Sequence, residues 1–171
     1  MPPTAPARIA LPVDLEIRDD RYTLRRTTLD DLPALVALLA ADALRRNDDS
    51  TDPEHFARYE RAFDAIDADP AQTLVSIADA DGRLVGTMQL TLIPGLARGG
   101  AYRMQIEAVR VADDLRGRGV GSAMIRWAVD QARASGAALV QLTSDARRED
   151  AHRFYERLGF AASHVGFKLF L

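Results

Sequence analysis

The chain contains no cysteine among its 171 residues, which excludes disulfide bonds, thiolate metal sites and a cysteine nucleophile. It also lacks an excess of positive charge, since 22 basic residues face 25 acidic ones and the net charge is −3. That balance argues against non-specific binding of nucleic acid, which requires a basic surface. The longest apolar run, residues 32–41, ends at Asp42 and is too short to span a bilayer. We therefore expect a cytoplasmic protein with neither a nucleic-acid nor a membrane partner.

The length and composition predict one globular domain with a core of ordinary size, since 47% of the residues are hydrophobic and 27% are charged. Residues 1–20 contain several prolines and no uninterrupted apolar stretch of the kind found in a targeting segment. We expect them to form a loose N-terminal lead-in, followed by a single domain over residues 21–171.

Hydrophobic periodicity predicts alternating strands and helices. The predicted strands are 22–28, 73–78, 83–93, 102–111, 138–142 and 165–171. The helical spacing of apolar residues marks four helices. The first covers 32–39, the second begins at Pro53 and ends near residue 69, the third covers 120–131 and the fourth covers 151–158. The fourth strand, third helix and fifth strand form a βαβ unit, whose two strands should be parallel and whose second strand should be buried on both faces. The fold class is therefore α/β, with a mixed sheet flanked by helices.

Residues 116–122, Arg-Gly-Arg-Gly-Val-Gly-Ser, open the third predicted helix with three glycines. Glycine costs roughly 1 kcal/mol relative to alanine inside a helix, so we interpret the glycines as allowing a ligand to approach the backbone. A helix N-terminus offers unpaired N–H groups that suit a phosphate, and Arg116 and Arg118 add positive charge. The segment lacks the lysine of a Walker loop and the third glycine of a dinucleotide fingerprint. A tight turn that binds nothing is the alternative.

Two segments resemble motifs of the GNAT N-acetyltransferase superfamily. Residues 109–121 are similar to its acetyl-CoA-binding motif, in which an Arg/Gln-x-x-Gly-x-Gly/Ala loop holds the pyrophosphate. Residues 151–160 resemble the following motif, with Tyr155 and the pair Gly159-Phe160 at the family's separation. The resemblance covers roughly residues 22–171, and the part from 148 onward further resembles aminoalkylphosphonate N-acetyltransferases. Asp113 replaces a frequent proline, and Arg148 stands where many members have an asparagine that contacts the cofactor arm.

The resemblance implies a sheet whose fourth and fifth strands splay apart and acetyl-CoA as the cosubstrate. It implies that the backbone at Val109, Arg110 and Val111 pairs with the pantetheine arm. It also implies a group of residues around the pyrophosphate: Arg116, Gly117, Arg118, Gly119, Val120, Gly121 and Ser122. No cluster of His, Asp or Glu has metal-ligand spacing, so we expect no metal.

Acetyl transfer to an amine requires a neutral amine and a proton for the departing thiolate. Glu107 lies where family members place a base, and an exposed or salt-bridged strand carboxylate is the alternative for it. Tyr155 is the candidate acid, because a tyrosine hydroxyl is protonated at neutral pH. For Tyr155 the alternative is that it simply belongs to the apolar stripe of the last helix.

We therefore expect an acetyl-CoA-dependent N-acetyltransferase that acts on a primary amine of a small molecule or peptide. Because a covalent acetyl-cysteine is impossible, transfer should be direct, within a ternary complex. The alternative function is a non-catalytic acyl-CoA-binding sensor or interaction module. An exposed terminal strand at 165–171 would also support a homodimer.

Overall fold

The computed structural model describes residues 9–42 and 49–171. Its six-stranded sheet has the strand order β1-β2-β3-β4-β5-β6. The strands are β1 (Val13–Ile17), β2 (Asp20–Arg26), β3 (Gln72–Asp79), β4 (Leu84–Ile93), β5 (Tyr102–Val111) and β6 (Ala137–Leu142). The helices are α1 (Leu32–Ala40), α2 (Pro53–Ala68), α3 (Val120–Ala134) and α4 (Glu149–Arg157), with short helical turns at Leu29–Asp31, Ala97–Gly100 and Asp113–Leu115. The predicted mixed α/β fold is confirmed.

Neighbouring strands are antiparallel throughout the sheet except for β5 and β6, which are parallel. The parallel pair is joined through α3, as the periodicity of the sequence predicted for a βαβ unit. The second strand of this unit, β6, differs from the prediction, because it lies at the sheet edge and is only half-buried. In the described residues β6 has a neighbouring strand, β5, on one side of its backbone only.

The core lies between α3 and one face of the sheet. Along α3 the residues at helical spacing are buried, among them Val120, Met124 and Ala128. They pack with strand residues such as Ile77 and Met88, which are fully buried. α1 packs against β4 and β5 with side chains outside this cluster, and it therefore covers the opposite face.

The N-terminal residues differ from the predicted lead-in. Val13–Ile17 forms β1, which pairs along β2, and its alternate residues Val13, Leu15 and Ile17 pack against the core. The sequence signal was weak because the strand has only five residues and follows closely after Pro12. The division into a lead-in (1–20) and a domain (21–171) stays a prediction.

The first predicted strand, 22–28, ends earlier than expected, because β2 stops at Arg26 and the chain turns towards α1. Thr28 donates its backbone N–H to Asp31 at 2.8 Å, and Arg25 donates to the same carboxylate at 2.7 Å. These hydrogen bonds lower the pKa of Asp31 to about 2, and the bond from the Arg25 guanidinium contributes most. The turn is thereby fixed by a charged pair that lies partly out of solvent.

The predicted terminal strand, 165–171, is wrong. Residues 160–171 form neither helix nor strand, and every residue from 161 to 171 is exposed. The alternation of apolar residues that suggested a strand is real, but a strand also requires a neighbour with which to pair.

Among the described residues, no helix is both long and apolar enough to cross a bilayer.

Candidate active site

The glycine-rich loop leads from the end of β5 into the first turn of α3. Gly117 and Gly119 have φ values of 74° and 98°, in the left-handed region that favours glycine. The first helical hydrogen bond runs from the Ala123 N–H to the Gly119 carbonyl at 3.0 Å. The amides of Val120, Gly121 and Ser122 therefore precede the intrahelical bonding, and in the described residues no side chain caps this end of α3. Such a helix end suits the negative charge of a pyrophosphate.

The β1–β2 hairpin supports this loop from outside. Arg18, at the hairpin turn, donates a hydrogen bond from Nη2 to the Gly117 carbonyl at 3.3 Å. A side chain added at Gly119 would begin 3.4 Å from Ile17 Cγ2. The contribution of Arg18 was missed because β1 was not recognised as a strand.

The two arginines of the loop are exposed. Arg116 forms an ion pair with Asp113 at 2.7 Å, and both partners are open to solvent. Exposed pairs of this kind exchange readily with other anions because their net stabilisation is small. The Arg116 side chain can therefore turn towards a phosphate at little cost.

β5 extends beyond β6 beside the loop. β6 pairs with β5 up to Ile106, opposite Leu142, where β6 ends, so residues 107–111 of β5 lie beyond the last pair. The splay of these strands that the family resemblance implied stays a prediction. Val109, Arg110 and Val111 lie on this part of β5, whose backbone edge on the side of β6 has no partner strand in the described residues and can be reached by a ligand.

A β-bulge at Ala108 changes which side chains share a face of β5. Ala108 has φ of 52°, and the register passes from Gln89 opposite Glu107 to Thr87 opposite Arg110. Because Gln89 and Thr87 are two residues apart, Glu107 and Arg110 lie on the same face of the sheet. Without the bulge, residues three apart would point to opposite faces.

Glu107 belongs to a polar row on that face. It is exposed and lies opposite Gln89, whose amide donates to Gln72 at 3.0 Å. Gln105, two residues before Glu107, accepts a hydrogen bond from Gln141 at 2.7 Å. Gln105 and Glu107 pair with Thr91 and Gln89, so they lie on the same face of the sheet. Together these side chains form a hydrogen-bonding surface that leads to the point where β6 ends.

Asp42, just beyond the end of α1, binds two arginines from other parts of the chain. Its carboxylate pairs with Arg110 Nη2 at 2.9 Å and also with Arg148, which immediately precedes α4. The Asp42 side chain is only 7% exposed. The sequence marked Asp42 only as the end of an apolar run, and the pairing with Arg110 and Arg148 depends on the tertiary structure. Arg148, at the family's asparagine position, has a partner of its own.

Tyr155 lies on α4 next to this cluster. Its ring makes edge-to-face contacts with Phe154 and Phe160, at centroid distances of 5.1 and 5.8 Å. Burial raises the pKa of its hydroxyl, and the positive charges of Arg110 and Arg148 oppose that rise. Tyr155 is therefore protonated at neutral pH. Tyr155 also belongs to the half-buried apolar stripe of α4, which is the packing role that we gave as the alternative to an acid role.

The first turn of α3 meets both β5 and α4. A side chain added at Gly121 would begin 3.5 Å from Phe154 Cζ and 3.7 Å from Val111 Cγ2. The structure therefore brings the glycine loop, the open part of β5 and the start of the Tyr155 region together. Glu107 lies four residues before Val111 on β5, in the polar row. No group of three or more His, Cys, Asp or Glu side chains in residues 9–42 and 49–171 is arranged to hold a metal.

The chain is similar to known acetyltransferases. The model of the acetyltransferase (GNAT) family matches residues 34–160. The aminoalkylphosphonate N-acetyltransferase of Salmonella typhimurium is 31% identical over 144 residues, which cover 84% of this chain and 88% of that protein. The streptothricin acetyltransferase of Streptomyces lavendulae is 29% identical over 148 residues, covering 86% of this chain and 67% of that protein.

A solved structure shows the same fold. The crystal structure of a transcriptional regulator from Bacillus halodurans C-125 superposes with a TM-score of 0.84 and 39% sequence identity. The superposition covers 88% of this chain and 99% of that one. The mixed sheet and its helices therefore also occur in a protein that is described as a transcriptional regulator.

Asp42→Asn should lower the free energy of unfolding by about 2–4 kcal/mol. The substitution removes the carboxylate charge that Arg110 and Arg148 both contact, and the value lies below that of a fully enclosed pair because Arg148 is partly exposed. Asp130→Asn, which removes an exposed pair with Arg133 on α3, is the control and should cost less than about 1 kcal/mol. Urea unfolding measures both, and equal losses would contradict a buried structural role for Asp42.

Proposed function

The chain belongs to the acetyltransferase (GNAT) family and is an N-acetyltransferase, and from that premise we propose that it transfers acetyl from acetyl-CoA directly to a primary amine of a small molecule. The observation that carries this proposal is the N-terminus of α3, which no side chain caps in the described residues, beside the part of β5 that extends beyond β6. The relatives support a small acceptor, since their names specify an aminoalkylphosphonate, a hexosamine phosphate and streptothricin. The assay below also tests a peptide amine as the acceptor.

We assign the cosubstrate to the loop and the open part of β5. The amides of Val120, Gly121 and Ser122 would bind the pyrophosphate, with Gly117 and Gly119 allowing the approach and Arg116 and Arg118 supplying charge. The backbone of residues 109–111 would pair with the pantetheine arm. When bound, acetyl-CoA supplies an activated thioester to this cleft.

Glu107 is the proposed base. An aliphatic amine is mostly ammonium at pH 7, by analogy with lysine near 10.4, so a proton must leave before the nitrogen can attack. The exposed Glu107 carboxylate, on the polar row of the sheet, would accept that proton directly or through one water. Its negative charge would also attract the ammonium form of the acceptor.

Tyr155 is the proposed acid. Its hydroxyl is protonated at neutral pH and would donate to the departing sulfur. The positive charges of Arg110 and Arg148, which pair with Asp42 nearby, act on this hydroxyl. They would favour negative charge that develops on the leaving group. Partial burial of the cluster would strengthen this effect.

The experiment that tests the function is thiol release from acetyl-CoA against a panel of amines. The panel contains an aminoalkylphosphonate, a hexosamine phosphate and a peptide with a free amino terminus. We expect release above the uncatalysed rate with at least one small amine. The alternative, an acyl-CoA-binding module without turnover, would bind CoA but release no thiol with any of them.

The expected cytoplasmic location and the absence of a metal stay predictions.

Gly119→Ala should weaken acetyl-CoA binding by about tenfold or more. A side chain at φ of 98° is strained, so the loop would shift and misalign amides whose bonds to a charged ligand are worth about 1.5–3 kcal/mol each. Gly82→Ala, at φ of 82° in the distant β3–β4 turn, carries similar strain and should leave binding unchanged. Calorimetry with acetyl-CoA compares the two variants, and no heat from the unsubstituted protein at millimolar ligand would refute the assignment.

Tyr155→Phe should lower kcat by about 10²-fold while the Kd for acetyl-CoA changes little, because only proton donation is removed. The ring contacts with Phe154 and Phe160 do not involve the hydroxyl and persist. Tyr59→Phe, on α2, is the matched control and should leave kcat unchanged, although it removes the hydroxyl that bonds Asp49. Steady-state kinetics decides, and an unchanged kcat for Tyr155→Phe would exclude the acid role.

Glu107→Gln should slow the reaction roughly a hundredfold near neutral pH. The deficit should shrink as the pH rises towards the pKa of the acceptor, because more of the amine is then already neutral. Glu16→Gln replaces another exposed strand carboxylate and should follow the unsubstituted profile. The measurement is kcat/KM against pH, and parallel profiles for Glu107→Gln and the unsubstituted enzyme would show that Glu107 is not the base.

A further inference from the structure

The turn between β1 and β2 consists of two residues, Arg18 and Asp19, because Ile17 pairs directly with Asp20. Of the two turn residues, only Arg18 has a left-handed backbone, with φ of 58°. Glycine is preferred at the first position of such a two-residue hairpin turn, since a side chain there is strained. An arginine therefore stands where the backbone alone favours glycine, which indicates a role for its side chain.

The Arg18 side chain reaches the glycine loop, 99 residues further along the sequence, where its Nη2 donates a hydrogen bond to the Gly117 carbonyl at 3.3 Å. The N–H of the same peptide group belongs to Arg118 and donates to the Leu115 carbonyl at 3.3 Å. Because a peptide group is planar, these two bonds hold it at both ends. The Gly117 carbonyl is thereby a fixed anchor for the Arg18 guanidinium.

The hairpin also contacts the loop at a second point. Ile17 Cγ2, next to Arg18 in the chain, lies 3.4 Å from the position where a side chain at Gly119 would begin. Gly119 immediately precedes the first turn of α3. The hairpin therefore lies against the loop at Gly117 and at Gly119, beside the amides that we assign to the pyrophosphate.

The Arg18 guanidinium retains donors that a ligand can use. A guanidinium carries five N–H groups, and the bond to Gly117 uses one of them. Arg18 is exposed, and within residues 9–42 and 49–171 it forms no ion pair with a carboxylate, whereas Arg116 is paired with Asp113. Arg18 therefore brings to the loop a positive charge together with donors that suit a phosphate.

We propose that Arg18 binds a phosphate group of acetyl-CoA, while the Gly117 carbonyl holds its guanidinium at the glycine loop. This inference rests on the proposed function, and it adds to the cosubstrate site a residue from a hairpin distant in sequence. Phosphate oxygens accept strong hydrogen bonds from guanidinium N–H groups. The side chain thus contributes to ligand binding, and the strained turn that carries it contributes nothing to stability.

Arg18→Gly should affect binding and stability in different directions. Glycine relieves the strain at φ of 58°, so the urea midpoint should stay the same or rise. The Kd for acetyl-CoA should rise about tenfold, because a hydrogen bond to a charged group is lost. Calorimetry and urea unfolding measure the two effects. An unchanged Kd would overturn the proposal, and so would weaker binding together with a lower urea midpoint, since that result assigns Arg18 to the fold.

Arg98→Gly is the matched control. Arg98 is also exposed and has a left-handed backbone, with φ of 57°, but it precedes β5 whereas the glycine loop follows β5. The length of β5, about 30 Å, exceeds the ~10 Å beyond which salt screens exposed charges. The urea midpoint should therefore shift as in Arg18→Gly, and the Kd for acetyl-CoA should not change. An equal rise in Kd for both variants would show an effect of net charge alone and refute the role of Arg18.

Two further variants separate charge from hydrogen bonding. Arg18→Lys keeps the charge and should recover most of the affinity that Arg18→Gly loses. Arg18→Gln keeps a donor for the Gly117 carbonyl without the charge, and it should bind acetyl-CoA as weakly as Arg18→Gly. Full affinity in Arg18→Gln would show that the charge is not used, which contradicts phosphate binding.

Truncated ligands identify the phosphate. If the difference in Kd between Arg18→Gly and the unsubstituted protein persists with acetyl-3′-dephospho-CoA, Arg18 binds the diphosphate. If the difference disappears, Arg18 binds the 3′-phosphate. Acetyl-pantetheine carries no phosphate, so both proteins should use it with equal kcat/KM. A deficit of Arg18→Gly with acetyl-pantetheine as large as that with acetyl-CoA would refute phosphate binding.

The failure of this inference differs from the failure of the proposed function. If the unsubstituted protein binds no acetyl-CoA, both are wrong. If the unsubstituted protein binds acetyl-CoA and Arg18→Gly binds it equally well, the proposed function stands and only the role of Arg18 is refuted.

Discussion

The bulge at Ala108 is the constraint on which the site depends. It forms where β5 loses its pairing with β6, and it turns Glu107 and Arg110 to the same face of the sheet. One side chain is thereby directed to the polar row and the other to Asp42. Because the bulge reverses the alternation, Val111 is left to pack beside Gly121 at the first turn of α3. A regular strand would separate these groups between two faces.

The charge cluster of Asp42, Arg110 and Arg148 ties together the end of α1, the open part of β5 and the start of α4. A carboxylate so little exposed requires paired cations, since an isolated buried charge is costly. The cluster therefore holds three elements together beside Tyr155, and the positive charges of Arg110 and Arg148 act on its hydroxyl. Structural and electrostatic roles coincide in the same three side chains.

The sequence predicted best where a local pattern had a local cause. α2 was expected from Pro53 to about residue 69 and spans Pro53–Ala68, because its start and end are marked by proline and aspartate. β5 was expected at 102–111 and has those bounds. β1 was missed, since five alternating residues beside Pro12 are a weak signal, and the terminal strand was wrong because nothing in a local pattern states whether a partner strand exists.

The amino-acid sequence alone determined the order of elements, the parallel βαβ unit and the glycine loop that opens α3. These follow from hydrophobic spacing and from backbone angles that only glycine adopts easily, and both act over a few residues. The tertiary structure alone decided that Asp42 meets Arg110 and Arg148, that Arg18 supports the loop at Gly117, and that β6 is an open edge. Each of these depends on residues brought together from distant parts of the chain, and such contacts arise from the packing of the whole sheet.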